Sequence, residues 1–253
     1  MMMRYLNDRI PRNTDLSKAL QVRVVSVYPR AVSMEWTDKN GGKHQWSVSG
    51  KEMEVFPDAI NQQVDNWGRL LFEISGGKFS LKHTIRRSDR ELVTLTRRER
   101  DGRYWLSPTP ATQLVRPQRE VMLYIFWLPM WGGNPRMVGG ASYSGPQGRF
   151  ACHYITVHTD RNRLLDPRGW VQLDRALPHE FWHYLRMLAR ENGFKGFMPD
   201  DDAPGEPDWV KLKGEIEKQG LPVPQYAHEE QYSNVLTWSF VEKFKRRYEM
   251  QRQ

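Results

Sequence analysis

The sequence predicts an α+β fold in which strands come first and helices come last. Two observations predict it. Alternating apolar residues and short apolar runs, which are typical of strands, recur as far as residue 157. Longer segments with apolar residues at helical spacing follow them. The 253 residues are enough for one large domain or two small ones, and no internal repeat divides them.

The N-terminal part of the chain predicts a small β unit. Residues 1–20 are polar and are predicted to form an arm. The turn signal at residues 38–42 predicts that the strand after it pairs back as a hairpin. We therefore predict an N-terminal arm and β-hairpin unit over residues 1–55 and a second domain over residues 56–253. The strands of the first unit are predicted over residues 22–28, 31–36 and 45–48.

The second domain is predicted to begin with a helix over residues 58–74, which ends at the cap signal Gly76-Gly77. Residues 121–128 form the longest apolar run and predict a buried strand. Residues 107–117 contain several prolines and are predicted to form a loop. Further strands are predicted over residues 79–85, 92–96, 104–106 and 150–157, and a long glycine-rich loop over residues 131–148.

Charge and hydropathy limit the functional classes. The formal net charge is +8, which modestly favours acidic partners or nucleic acid. Basic residues concentrate in 86–103 and 243–247, but no nucleic-acid motif accompanies them, so a solvated loop and a solvated helix end are the simpler interpretation. Mean hydropathy is −0.73, and no apolar run approaches the length of a membrane span. The N-terminus lacks the apolar stretch of a signal peptide.

Cys152 is the single cysteine, so no disulfide can form within the chain. This fits a reducing compartment such as the cytoplasm. Nothing near Cys152 in the sequence supports a nucleophile, and we expect this residue to be a small buried side chain.

The most informative segment is His179-Glu180-Phe181-Trp182-His183. On a helix, the two histidines lie one turn apart on the same face, where they can share a zinc ion. Glu180 can then act as the base toward a zinc-bound water. Asp174 is placed to cap this helix, and proline is tolerated at Pro178 in its first turn. Apolar residues recur at three- and four-residue spacing and predict a partly buried helix: Leu177, Phe181, Leu185 and Leu188.

This motif resembles the active-site helix of the zincin metallopeptidase superfamily. The resemblance implies that His179 and His183 bind zinc and that Glu180 is the general base. It also implies a zincin-like catalytic domain, with a mixed sheet, the motif helix and C-terminal helices, and a peptide or protein as the substrate.

A catalytic zinc needs a third protein ligand. On an uninterrupted helix Glu191 lies about 12 Å beyond His183, which is too far. Glu230 and Asn234 resemble the Glu-x-x-x-Asp or Glu-x-x-x-Asn pattern of the gluzincins, which implies that Glu230 binds zinc and that Asn234 orients a ligand histidine. Both fall on one face of a long helix predicted over residues 226–247. The alternatives left open are Glu229, Glu191, an acidic residue within 200–217, and no third ligand.

The predicted reaction also needs a donor for the developing oxyanion. His228 is our first choice, with Tyr226 and Tyr232 beside it in the sequence. The strand at 150–157 is predicted to pair with the main chain of an extended substrate, as an edge strand does in zincins. Two other classes of function stay open: a catalytically inactive zincin-like binding or structural protein, and a basic protein associated with nucleic acid.

Overall fold

A computed structural model describes residues 19–74, 77–137, 150, 152–159 and 161, together with residues 177, 180, 181, 183–185 and 187. The chain separates into two compact units. One unit consists of Met1–Gln21, Arg69–Ser80 and Leu185–Gln253, and the other of Val22–Gly68 and Leu81–Tyr184. The predicted domain boundary after residue 55 stays a prediction.

The described elements are eight strands, interrupted by a helix after the third strand and by another after the sixth. The strands are β1 Leu20–Tyr28, β2 Val32–Thr37, β3 Lys43–Val48, β4 Phe79–Arg87, β5 Thr96–Arg97, β6 Tyr104–Trp105, β7 Leu123–Pro129 and β8 His153–Thr159. The helices are α1 Phe56–Ile74, which follows a 3-10 turn at Glu52–Val55, and α2 Pro108–Leu114. The described residues from Leu177 to Met187 are helical too, and we call them the motif helix.

A four-stranded sheet in the order β4-β1-β7-β8 forms the centre of the fold. β1 pairs with β7 in parallel, with Val24 opposite Leu123, and β7 pairs with β8 in parallel, with Leu123 opposite His153. At the other edge, the Ser88 N–H donates to the Tyr28 carbonyl at 2.8 Å, where β1 and β4 both end. The described structure is therefore mixed α/β, built around parallel strands.

β7 is buried at all seven positions, as expected of a central parallel strand that is covered on both faces. On one face, the indole of Trp127 reaches Ser26 of β1. On the other, aromatic rings pack edge to face, with centroids 5.5 Å apart for Phe126 and Tyr154 and 5.2 Å for Phe150 and Tyr154. The prediction of a buried strand at 121–128 is confirmed.

α1 covers the first of these faces. Its residues Phe56, Ile60, Val64 and Trp67 are buried, and they repeat at three- and four-residue spacing. The Phe56 ring stacks on Tyr28 at the end of β1, with centroids 5.6 Å apart. The predicted helix over residues 58–74 is confirmed and begins slightly earlier, at Phe56.

The predicted hairpin is present as β2 and β3, which pair antiparallel with Met34 opposite Trp46. The loop after β7 is bound to its second strand. The Trp46 indole donates to the Trp131 carbonyl at 2.7 Å, and the Ser47 N–H donates to the Gly132 carbonyl at 2.9 Å. The start of the glycine-rich loop is therefore held by the hairpin, whereas residues 138–149 lie outside the described residues.

One local prediction was wrong, and another is confirmed with shifted bounds. Residues 107–117 were predicted to be a loop, but Pro108–Leu114 is a helix. Backbone N–H groups in the first turn of a helix make no hydrogen bond within the helix, so proline, which lacks this N–H, is tolerated there. Pro108 and Pro110 lie in this first turn and are therefore compatible with the helix. The strand predicted at 150–157 is shifted and runs over His153–Thr159, because its pairing with Leu123–Pro129 sets the register.

Among the described residues, no helix is both long and apolar enough to span a membrane.

Candidate metal centre

The motif helix packs through its aromatic residues. Phe181 and Tyr184 are completely buried. The Phe181 ring meets Trp67 of α1 edge to face, with centroids 5.7 Å apart, and Tyr184 meets His153 of β8 in the same way at 5.5 Å. One surface of the helix is thus fixed against α1 and β8.

Glu180 and His183 lie at the border of this packed surface. Glu180 is 4% exposed, and His183 is half-buried. A helix turns about 100° per residue, so these two residues are separated by about 60° around its axis. A carboxylate removed from water is costly unless other groups stabilise its charge. Glu180 therefore lies in an environment with little water, one turn before His183 on the same helix.

The remaining predicted site residues lie outside the described residues. They are His179, Glu191, Tyr226, His228, Glu229, Glu230, Tyr232 and Asn234. Within the described part of the chain, no group of three or more histidine, cysteine, aspartate or glutamate side chains converges to hold a metal. The zinc ligands predicted from the sequence therefore stay predictions.

Two histidines on β8 lie close to the motif helix in sequence, but the sequence did not place them in the metal site. His153 is half-buried against Tyr184. Burial lowers the pKa of His158 to about 4, because removal from water disfavours the imidazolium. His158 is consequently a neutral imidazole at physiological pH.

The environment of Cys152 argues against a nucleophilic role. Its Sγ donates to the Val121 carbonyl at 3.3 Å. Burial raises the pKa of the thiol to about 12, since the thiolate would lose its hydration. The reactive thiolate is therefore strongly disfavoured, and the prediction of an inert, largely buried cysteine agrees with this environment.

Comparison of the chain with protein-family models, with curated proteins and with solved structures found no match.

Proposed function

We propose that this protein is a zinc-dependent metallopeptidase of the gluzincin type. The observation that carries the proposal is the burial of Glu180, 4% exposed, on a helix that also presents the half-buried His183 one turn later. Glutamate is rarely buried to this degree. In the motif His-Glu-x-x-His such a residue has a chemical role, because a base in a partly dry site holds and releases protons more effectively than a hydrated one.

The order of elements supports a zincin-like catalytic domain. α1 is followed by a turn at Gly77, whose φ of 78° is left-handed, and then by β4. This is the helix, glycine and strand order that resembles the start of zincin domains. β8 comes before the motif helix in the chain, and Tyr184 of that helix packs against His153 of β8.

The predicted ligands are chemically suited to a zinc ion, because imidazole nitrogen and carboxylate oxygen are among its usual protein ligands. His179, His183 and Glu230 would hold the ion, with Asn234 orienting a ligand histidine. When bound, zinc supplies Lewis acidity and lowers the pKa of water at the site. Glu180 would accept a proton from water and deliver it to the leaving amine. His228 would donate a hydrogen bond to the oxygen of the scissile carbonyl.

The substrate in this proposal is an extended peptide that pairs with β8. β8 is the last strand of the sheet order, and none of the described strands pairs with its outer edge. A free edge offers backbone N–H and C=O groups to another chain, so it binds main chain whatever the side chains are. Broad sequence tolerance in the cleaved peptide is the expected consequence.

Replacement of the proposed base tests this function most simply. Glu180→Gln removes the base but keeps the size of the side chain, so we expect peptide hydrolysis to fall by several orders of magnitude while the bound zinc is retained. The assay is cleavage of a mixture of unstructured peptides, read by mass spectrometry. Glu54→Gln changes a surface carboxylate remote in the sequence and should cleave like wild type. Full activity in Glu180→Gln would remove Glu180 from the mechanism.

A further inference from the structure

A second, independent feature of the fold is a cavity of about 810 Å³ at the ends of β1 and β4. Four arginines line it, Arg30, Arg86, Arg90 and Arg116, together with two carboxylates, Asp89 and Glu91. Four positive and two negative charges leave it with a net charge of +2. We propose that this cavity, which we call the arginine cavity, binds a small organic phosphate.

The four arginines are exposed to solvent, and among the described residues only one of them is paired with a carboxylate. Arg30 is paired with Glu91, with a nitrogen-to-oxygen distance of 2.9 Å. The side chains of Arg86, Arg90 and Arg116 make no hydrogen bond or ion pair with any described residue, although they line the cavity together with Asp89. An anion that enters the cavity is attracted by each of these guanidinium groups. A planar guanidinium group can donate two parallel hydrogen bonds to two oxygens of one phosphate group.

The walls of the cavity are fixed by buried contacts. Ser88 is 2% exposed and follows directly on β4. Its hydroxyl donates to the Leu114 carbonyl at the end of α2 at 2.7 Å and accepts from the Arg90 N–H at 3.0 Å. The Arg30 N–H in turn donates to the Arg90 carbonyl at 3.0 Å. These bonds join the end of β4, the segment after β1 and the end of α2, so the backbone that carries the arginines is fixed before any ligand binds.

The position and size of the cavity both suit a small ligand. In parallel sheets, ligands commonly bind beyond the carboxyl ends of the strands, and Arg30 and Ser88 follow the ends of two of them. Sites for small molecules have volumes of about 300–1,000 Å³, which includes this cavity. Val93 is 52% exposed and Leu114 and Val115 are buried, and these three apolar residues also line the cavity, where they can contact an organic group.

A phosphate monoester matches the charge better than a carboxylate does. Such a group carries about two negative charges at neutral pH, which balances the net charge of the cavity, whereas a carboxylate carries one. A nucleic-acid strand would instead need a long positive groove with aromatic residues on which bases stack, and none of the described residues that line the arginine cavity is aromatic. Neither Glu180 nor His183, the described residues of the proposed zinc site, lines the arginine cavity, and the inference does not depend on that function.

Calorimetric titration with phenyl phosphate tests the proposal. The full chain should bind it, and benzoate should bind more weakly. The variant Arg86→Gln/Arg116→Gln should bind phenyl phosphate at least about tenfold more weakly, since each guanidinium contributes charge-assisted bonds. Arg100→Gln is the matched control, because Arg100 is exposed and outside the cavity, and it should bind like wild type. All affinities should fall as salt is added.

Several results would overturn the proposal. Equal affinity in wild type and in the double variant would place the phosphate elsewhere, for example on zinc. No binding at millimolar concentration would exclude the site. Binding of a single-stranded oligonucleotide that depends on Arg86 and Arg116, without binding of phenyl phosphate, would assign these arginines to nucleic acid. Circular dichroism checks that the double variant folds, and the single variants Arg86→Gln and Arg116→Gln repeat the titration if it does not.

Discussion

At the scale of single residues, the sheet contains a small buried polar cluster on the face that α1 covers. The Trp127 indole donates to the Ser26 hydroxyl at 3.0 Å, and His83 Nε2 shares a hydrogen bond of 2.9 Å with the same oxygen. The three residues come from β7, β1 and β4, so a single serine hydroxyl links three strands. A buried polar group lowers the stability of the folded protein unless it has a hydrogen-bond partner.

Ser26→Ala should therefore destabilise the protein. It leaves the Trp127 N–H buried without its acceptor and removes a partner of His83, which costs about 1–3 kcal/mol of the free energy of unfolding. Urea unfolding followed by tryptophan fluorescence measures the change. Ser33→Ala is the control: Ser33 is exposed on β2 and should change stability by less than about 0.5 kcal/mol. A Ser26→Ala protein as stable as wild type would show that water replaces the hydroxyl.

His83 should make stability depend on pH. Burial lowers its pKa from 6.5 to about 4, against a smaller opposing effect of the Asp65 carboxylate. As the pH falls, His83 gains its proton near pH 6.5 in the unfolded chain but only near pH 4 in the folded protein. Between these two pH values the unfolded state therefore holds more protons than the folded state. The stability contributed by neutral His83 is present above 6.5 and is lost as the pH falls toward 4.

The measurement is urea unfolding of wild type and His83→Gln at several pH values. Wild type should lose more stability than His83→Gln as the pH falls from about 7 to about 4. His158 has a similarly lowered pKa but is present in both proteins, so its contribution cancels. Equal losses in the two proteins would show that His83 does not titrate in this way.

At the scale of elements, contact between the hairpin and the loop after β7 depends on glycine. Gly132 has a φ of 74°, and a Cβ added to it would collide with the Ser47 carbonyl oxygen. Gly41 has a φ of 86° but open space around it. A side chain at Gly41 would therefore strain only the backbone, whereas a side chain at Gly132 would strain the backbone and also collide with β3.

Gly41→Ala should cost about 1–2 kcal/mol, the usual penalty of a left-handed backbone. Gly132→Ala should cost at least about 1 kcal/mol more, because the loop must also move away from β3. Thermal unfolding of the two variants gives the comparison. If Gly132→Ala were no more destabilising than Gly41→Ala, the loop would not be held tightly by the hairpin.

Elements that carry a strong local pattern could be predicted from the sequence. The stripe of Ile60, Val64 and Trp67 predicted α1, and alternation around a turn signal predicted the hairpin. α2 could not be predicted by the same means, since its prolines were interpreted as loop residues although they start the helix. The predicted bounds of β8 were shifted because they are set by pairing with β7, which is a contact between distant residues.

At the scale of the whole molecule, the predicted zinc site depends on residues far apart in the sequence. The i, i+4 spacing of the motif histidines is local and can be recognised directly. The third ligand is not local, because it depends on how another element packs against the motif helix, which a single sequence does not determine. The arginine cavity was missed for the same reason: the basic residues of 86–103 were interpreted as a solvated loop, whereas Arg30 and Arg116 reach the same cavity from other segments.

The zinc content of the purified protein tests the central claim most directly. Elemental analysis after mild dialysis should give about one zinc per chain, retained in Glu180→Gln and lost in His179→Ala and His183→Ala. Glu230→Gln should lose zinc, and Glu229→Gln, its neighbour and matched control, should keep it. If only Glu229→Gln lost the metal, the gluzincin assignment would be wrong while the motif prediction survived. A metal-free wild-type protein whose stability is unchanged in His179→Ala and His183→Ala would contradict the account.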